Sequence, residues 1–588
     1  MQEKLKKEIH DALKNLGIEA SVITLEHPAE LSHGDYSTNV AMAHAKKLGK
    51  NPRVLAEEIV AELSKNKLFE IEKIDIAGPG FINFHLSKEF FIQETKEILL
   101  KADSFGKTDQ FKNQTWAIEY ASPNPNKAMH LGHLRNVLTG VSICRIIEAN
   151  GAKVVREMVD NNRGIAIAKL MWGYLVSAKK DGSRITDISY WAEHQDEWLT
   201  PEDAGIRPDR FVDELYVKGA TESENPDIEK EVRDLVVRWE NKDAEVWKLW
   251  EKVLSYAYEG QKKTLARLGA TFDYVWHEHE HYQEGKNFVD EGLKKGVFKK
   301  LEDGAILSDL ESIGLTDTVV VKKDGTALYI TQDLALTDIK KKKHKADKML
   351  WVIGPEQSLA MAQLFAICEQ LGVGKRSEFQ HVPYGYMSIK GEGKMSSRKG
   401  NVMYLDDVMD EAKAKIEEIM RERISSEALS QTAEILAHSA IAFGILRSGR
   451  MTDMAFDLSE ALRLEGDTGP YLEYSAVRAG SLVDKAEKEG MTKFNFAPSE
   501  GCVISNLEKM LYRFPEVVER AGVELSPSTI ANYLVELAGN FNGFYASGQI
   551  IDTSDINTSL YKVALTKAFQ TTMKNGLYLL GIEVPQKM

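Results

Sequence analysis

Cysteine is scarce in this chain. Cys144, Cys368 and Cys502 are the three in 588 residues, and they stand far apart. None belongs to a C-x-x-C pair, so neither a zinc knuckle nor a disulfide framework is expected. Long apolar runs are missing as well: no stretch reads as reaching membrane-spanning length. The opening MQEKLKKEIHDALKNLG reads as an amphipathic helix rather than a signal peptide. A cationic excess is also lacking. The formal net charge of −14 argues against a general nucleic-acid coat, while local basic faces remain compatible with it. No internal repeat or low-complexity tract occurs. These absences describe a cytosolic globular chain with no membrane partner, long enough for three or four cores.

What is present organises the chain. Residues 1–110 mix helical patterns with IEKIDIAGPGFINFHLS, in which Gly78-Pro79-Gly80 predicts a tight turn between strands. After the polar joint SFGKTDQFKNQ, WAIEY predicts a strand, followed by the loop ASPNPNKAMHLGHLRN. Leu134, Val137, Leu138, Val141 and Cys144 then recur at helical spacing. Asn150-Gly151 signals the helix end before the next strand, AKVVREMVD. This is the opening half of a doubly wound α/β fold with a parallel sheet. From about 180 to 265 the pattern is polar, aromatic and helical, which marks an insertion. TVVVKKDGTALYITQD and KMLWVIGPE predict the second half of the same sheet, and beyond about 406 helical period dominates. The lysine run Lys340–Lys343 is expected to end a helix in solvent.

Sites in such sheets lie at the carboxyl ends of strands. His130 and His133 stand there, at a helix mouth where unpaired N–H groups and the helix dipole favour anions. Gly132 admits a flat ligand such as adenine close to the backbone. The plainer alternative is that one histidine merely caps the helix. Later, GKMSSRKG carries Lys394, Arg398 and Lys399 on a serine- and glycine-rich loop, suited to closing on a triphosphate. Tyr329 and Asp333, four apart, share a helical face; alone, Asp333 reads as a helix cap or a surface ion pair. HEHEHY matches H-E-x-x-H through His277, Glu278 and His281, a zinc-hydrolase signature when helical. The preceding FDYVW reads as a strand and no third ligand is evident, so no metal is assigned.

HLGH followed by GKMSSRKG resembles the HIGH and KMSKS signatures of class I aminoacyl-tRNA synthetases. The surrounding text resembles the arginyl-tRNA synthetase family along nearly the whole chain: HGDYSTNVAMAHAKKLGKNP and AGPGFINF near the start, VDNNRGIAIAK in the middle, GDTGPYLEYSAVR and GNFNGFY near the end. The resemblance implies an α+β N-terminal domain at 1–110 that contacts the tRNA elbow. It further implies a Rossmann-type catalytic domain at 111–405, connecting helices at 406–465, and an all-helical DALR-type anticodon-binding domain at 466–588. The implied activity joins L-arginine to tRNA(Arg), using ATP as its Mg2+ complex, through arginyl-adenylate. It also implies a monomeric cytoplasmic enzyme that binds tRNA before activating arginine.

By the same resemblance Ser122, Asn124, His133, Glu278, Tyr329, Asp333 and Gln357 bind arginine, whose planar, permanently charged guanidinium calls for carboxylates in its plane. His130, Gly132, His133, Lys394, Met395, Ser396 and Ser397 bind ATP. His130, His133, Lys394 and Lys399 serve catalysis, and Lys394 is kept where many relatives have lost it. The chain departs from the family at Gln332, where arginine is frequent, and at His279, where serine is usual. It departs again at Ala360 for histidine and Glu473 for glutamine. The alternatives are a catalytically idle tRNA-binding paralogue, a class I synthetase of another specificity, and a zinc hydrolase built on HEHEH.

Overall fold

The computed structural model describes every residue except 21, 327, 391–402, 423 and 492, together with all side chains of the described residues save those of 286 and 389. Strands β1 (Tyr36–Thr38), β2 (Ile71–Ala77) and β3 (Phe81–Leu86) form an antiparallel sheet in the order β1-β3-β2. The β2–β3 turn falls on Gly78-Pro79-Gly80. Gly80 has φ +133°, and a Cβ there would stand 2.9 Å from the Pro52 carbonyl oxygen, so only glycine fits. Helices Gln2–Asn15, Val40–Leu48 and Pro52–Leu63 cover this sheet with Leu5, Ile9, Leu55 and Ile59.

The central sheet is parallel throughout. Its strands are β4 (Thr115–Glu119), β5 (Lys153–Asp160) and β6 (Tyr274–His277), joined later by β10 (Lys348–Trp351) and β11 (Phe379–His381). The order β11-β10-β4-β5-β6 means that the chain leaves β4 toward β5 and returns to β4's other side as β10. Loops after β4 and β10 therefore diverge and leave a crevice at their carboxyl ends. Between β4 and β5 runs the helix Leu131–Ala149, with Leu134, Val137, Leu138, Val141 and Cys144 all buried. It ends at Asn150, followed by Gly151 at φ +92°.

One sequence expectation is corrected. TVVV is strand β9 (Thr318–Val321), and it pairs with β8 (Ile306–Ser308), which in turn pairs with β7 (Phe298–Lys300), in a separate antiparallel sheet. The helix that follows β9, Tyr329–His344, lies against the central sheet and carries the candidate pocket residues. Its lysine run ends the helix with Lys342 and Lys343 exposed, as expected, and is corrected at Lys340. Lys340 is 1% exposed and its ammonium lies 2.7 Å from Glu119 and 3.4 Å from Glu157, while Lys343 lies over the Tyr274 ring. Helical spacing turns the first lysine of the run inward, and two strand-end carboxylates make that burial tolerable.

The helical block between β5 and β6, from Ile165 to Arg267, has its own core around Trp191, Trp198, Phe211 and Trp250. Strand β12 (Met387–Ile389) pairs in parallel with β13 (Met454–Phe456), and the other described elements from Leu405 to Leu579 are helices. One helix here, Ser426–Leu446, is long and apolar enough to cross a membrane, contrary to the sequence reading. In the fold Leu436, Ala440, Ile441 and Phe443 are fully buried in the bundle core. Glu473, on the neighbouring helix Gly469–Lys488, is 0% exposed, and neither carboxylate oxygen has a hydrogen-bond partner among the described residues. Burial pushes its pKa well above the ordinary carboxylate value, toward the neutral acid.

Candidate functional site

The crevice has two walls. One is the helix mouth after β4. Ala121 and Ser122 both take left-handed backbone, at φ 67° and 45°, a strained conformation for side-chain-bearing residues. Asn136 holds this turn in place: its Oδ1 accepts from Ala121 N at 2.6 Å, and its Nδ2 donates to Val352 O at 2.7 Å. One amide thus ties the ends of β4 and β10 across the switch point. Ser122 Oγ accepts from Val159 N at 3.0 Å, and Asn124 is exposed beside Asn161.

His130 and His133 cap the helix reciprocally. His130 Nδ1 accepts from Gly132 N at 3.1 Å, and His133 Nδ1 accepts from His130 N at 3.2 Å. Accepting at Nδ1 places the His130 proton on Nε2, a donor left for a ligand, while His133 Nδ1 also stands 3.3 Å from His130 O, to which it donates in its other tautomer. The rings stand 4.2 Å apart. Burial, then the neighbouring His130, pushes the His133 pKa down to about 3; burial and Lys127 lower that of His130. Both are therefore neutral at pH 7. Gly132 acquires a further reason: a Cβ there would lie 2.8 Å from the His130 ring. Lys127, unremarked in the sequence, stands near both rings, with its ammonium over the Tyr216 ring at 5.4 Å.

Lys394, Met395, Ser396, Ser397 and Lys399 lie outside the described residues. The segment that follows them is fixed against the helix mouth, because Met403 O accepts from Leu131 N at 3.2 Å and Leu405 N donates to Met129 O at 3.0 Å. The helical block grips this segment as well: Tyr404 donates to Asp213 at 3.0 Å, and Asp406 is paired with Arg207 and Arg267, each at 2.9 Å.

The second wall is acidic. Helix Tyr329–His344 presents Tyr329, 76% exposed, and Asp333 one turn on. Asp333 is exposed to solvent, with protein crowded around its carboxyl. Burial, then the nearby Glu119, pushes its pKa up to about 7; Glu278 adds to this and Lys340 opposes it. Glu278 begins the short helix Glu278–His281, is 8% exposed, and is also raised, chiefly by burial. Beneath them Lys340 joins Glu119 to Glu157, whose Oε1 also accepts from Trp276 Nε1 at 2.7 Å. Gln357 is exposed in the turn Pro355–Gln357 after β10.

The H-E-x-x-H match does not converge. His277 ends β6 with Nδ1 2.7 Å from Asp160, and this hydrogen bond raises its pKa. His281 is buried with both ring nitrogens unpartnered, and burial pushes its pKa down to about 4. Among the described residues no group of three or more His, Cys, Asp or Glu is arranged around a metal position. His279 packs into the scaffold instead, with its Nδ1 3.0 Å from Asn162 Nδ2 and its ring edge-on to Trp250 at 5.0 Å. Sequence reasoning missed Asn136, Asp160 and Arg163. Their significance lies in partners contributed by elements distant in sequence.

With this geometry in view, the comparisons are specific. Three family models match in order: "Arginyl tRNA synthetase N terminal domain" over residues 3–86, "tRNA synthetases class I (R), catalytic domain" over 94–458, and "DALR anticodon binding domain" over 472–588. A Borreliella burgdorferi protein named arginine–tRNA ligase is 32% identical over 608 residues, covering 100% of this chain and 99% of the relative. A Treponema denticola protein of the same name is 34% identical, covering 96% and 95%. Among solved structures, Thermus thermophilus arginyl-tRNA synthetase shares the fold with a TM-score of 0.82 at 23% identity, each chain covered in full.

Proposed function

Because the chain belongs to the arginyl-tRNA synthetase family, we infer that it is an aminoacyl-tRNA ligase joining L-arginine to tRNA(Arg) with ATP. The observation that carries this reading at the site is the adjacency of opposite halves. Neutral imidazoles at a helix mouth suit phosphate, and the wall holding Glu278 and Asp333 suits a guanidinium.

The chemistry then takes two steps. The arginine carboxylate attacks the α-phosphorus of ATP, giving arginyl-adenylate and pyrophosphate. The 2′-hydroxyl of the terminal adenosine of tRNA(Arg) takes the arginyl group and AMP leaves. No covalent enzyme intermediate is needed, so the protein contributes positioning and electrostatic stabilisation. Glu278 and Asp333 hold the guanidinium, with Tyr329 and Gln357 closing the pocket. Ser122, Asn124 and His133 take the amino-acid end. His130, Gly132 and His133 bind adenine and phosphate, with Met395, Ser396 and Ser397 on the opposing loop. Lys394 and Lys399 stabilise the departing pyrophosphate, and Mg2+ arrives with ATP as part of the substrate.

The domain division is 1–110, 111–405, 406–465 and 466–588, the first contacting the tRNA elbow and the last the anticodon. The enzyme acts as a cytoplasmic monomer, and tRNA binds before arginine is activated. The test is ATP–pyrophosphate exchange with tRNA(Arg) and arginine, beside lysine, glutamine and cysteine. Exchange with arginine only, abolished in Asp333→Ala, is the expected result; exchange with another amino acid, or none, overturns the assignment.

A further inference from the structure

We propose that Arg163 is a positioning residue for arginine recognition: its guanidinium holds Glu278 by one oxygen and ties that carboxylate to the helical block between β5 and β6. The inference rests on the ligase reading and deepens its pocket.

Arg163 follows β5 by three residues. Its Nη1 donates to Glu278 Oε1 at 3.3 Å and its Nη2 to Glu240 Oε1 at 2.8 Å. The guanidinium lies over the Tyr282 ring at 4.0 Å and within 5.6 Å of the Trp239 ring. A planar fork between two carboxylates and two aromatic faces has one orientation, which an ammonium would not share. Glu240 ends the helix Pro226–Glu240, and Trp239 stacks on Trp247 at 5.2 Å. Trp250 Nε1 donates to Asn162 O at 2.7 Å, so the loop bearing Arg163 is bound to the same block.

The consequence falls on Glu278. Burial, then the neighbouring Asp160, pushes this carboxyl toward its neutral form, and the Arg163 charge opposes both effects. Arg163 occupies Oε1 only; Oε2 makes no hydrogen bond with a described residue. A carboxyl group gripped on one oxygen has the other for an incoming guanidinium. The resident guanidinium thus prepares the site for the substrate's, and the placement of the helical block sets how well it does so.

The experiment measures exchange kinetics in Arg163→Gln, Arg163→Lys and Glu240→Gln with arginine and ATP varied separately, from about pH 6 to 8.5. Arg163→Gln is expected to raise the arginine KM by roughly tenfold or more, because a buried charge pair loses one member. The ATP KM and kcat stay near wild type. The fall of arginine KM with pH moves to higher pH in Arg163→Gln, and less in Arg163→Lys, which keeps the charge. Glu240→Gln raises the arginine KM by a smaller factor. Should Arg163→Gln fail to fold, by circular dichroism, Glu240→Gln decides. Three results overturn the proposal: an unchanged arginine KM, a lowered one (a resident competitor), or equal rises for both substrates. A wild-type protein without arginine-dependent exchange overturns the ligase reading and this inference with it; exchange in wild type beside unaffected variants overturns this inference alone.

Discussion

Asp333 shows how a single side chain is set by its surroundings. A carboxyl with pKa about 7 is half protonated at neutrality, and only its ionised form attracts a guanidinium. The sign follows directly. The free site holds the proton below pH 7, and a bound cation favours the ionised form. Arginine binding therefore expels a proton near neutrality and tightens as pH rises. We expect the arginine KM to fall up to about tenfold per unit of pH below 7 and to level off above 8, while the ATP KM stays flat. Calorimetry of arginine binding in two buffers of different ionisation enthalpy measures the released proton directly. A pH-independent KM with no proton release refutes the assignment. The spacing of Tyr329 and Asp333 announced their shared face. It did not announce the charge state, because Glu119 reaches Asp333 from a strand far earlier in the chain. The two histidines are a milder case: H-x-x-H at a helix start already contains N-cap and N3 positions, but the proton positions needed the reciprocal bonds to be seen.

At the scale of the element, helix Tyr329–His344 depends on an anchor that its own sequence disguises. Four consecutive lysines look like a solvated helix end, yet Lys340 is buried between Glu119 and Glu157. Removing one member of such a cluster leaves buried charge without compensation. Lys340→Met should destabilise the protein by roughly 3–5 kcal/mol in denaturant melts. It should also move the pH dependence of arginine KM upward, since Lys340 is the cation opposing the rise of Asp333. Unchanged stability would mean that the two glutamates are protonated or hydrated in the fold. Helices and central strands were legible because their apolar period is local. The partner of a four-residue strand is not local, and TVVV accordingly went to the wrong sheet: nothing in its own residues separates a parallel neighbour from the antiparallel β8.

Across the whole molecule, one helix touches both ends of the problem. Leu131–Ala149 starts at the paired imidazoles and ends against the C-terminal helices. Ser142 Oγ donates to Leu579 O at 2.8 Å and Arg145 Nη1 to Tyr578 O at 2.8 Å. Beyond its end Asn150, fully buried, donates to Val518 O at 3.0 Å. Gly522 makes that approach feasible, because a Cβ there would stand 2.5 Å from the Asn150 amide nitrogen. A helix is stiff along its axis, so a shift of the C-terminal bundle would have a direct route to the helix mouth proposed to bind ATP. Asn150→Ala cuts one tie of this route and should cost about 1–3 kcal/mol of stability. The ratio of arginine-dependent exchange with tRNA to exchange without it should then fall by roughly fivefold. Asn575→Ala provides the comparison, for Asn575 binds Ala102 O and Phe105 O and leaves the Leu131–Ala149 helix alone. A ratio lowered equally by both substitutions would place the coupling in the general docking of the bundle, and a ratio lowered by Asn150→Ala alone would place it in the helix.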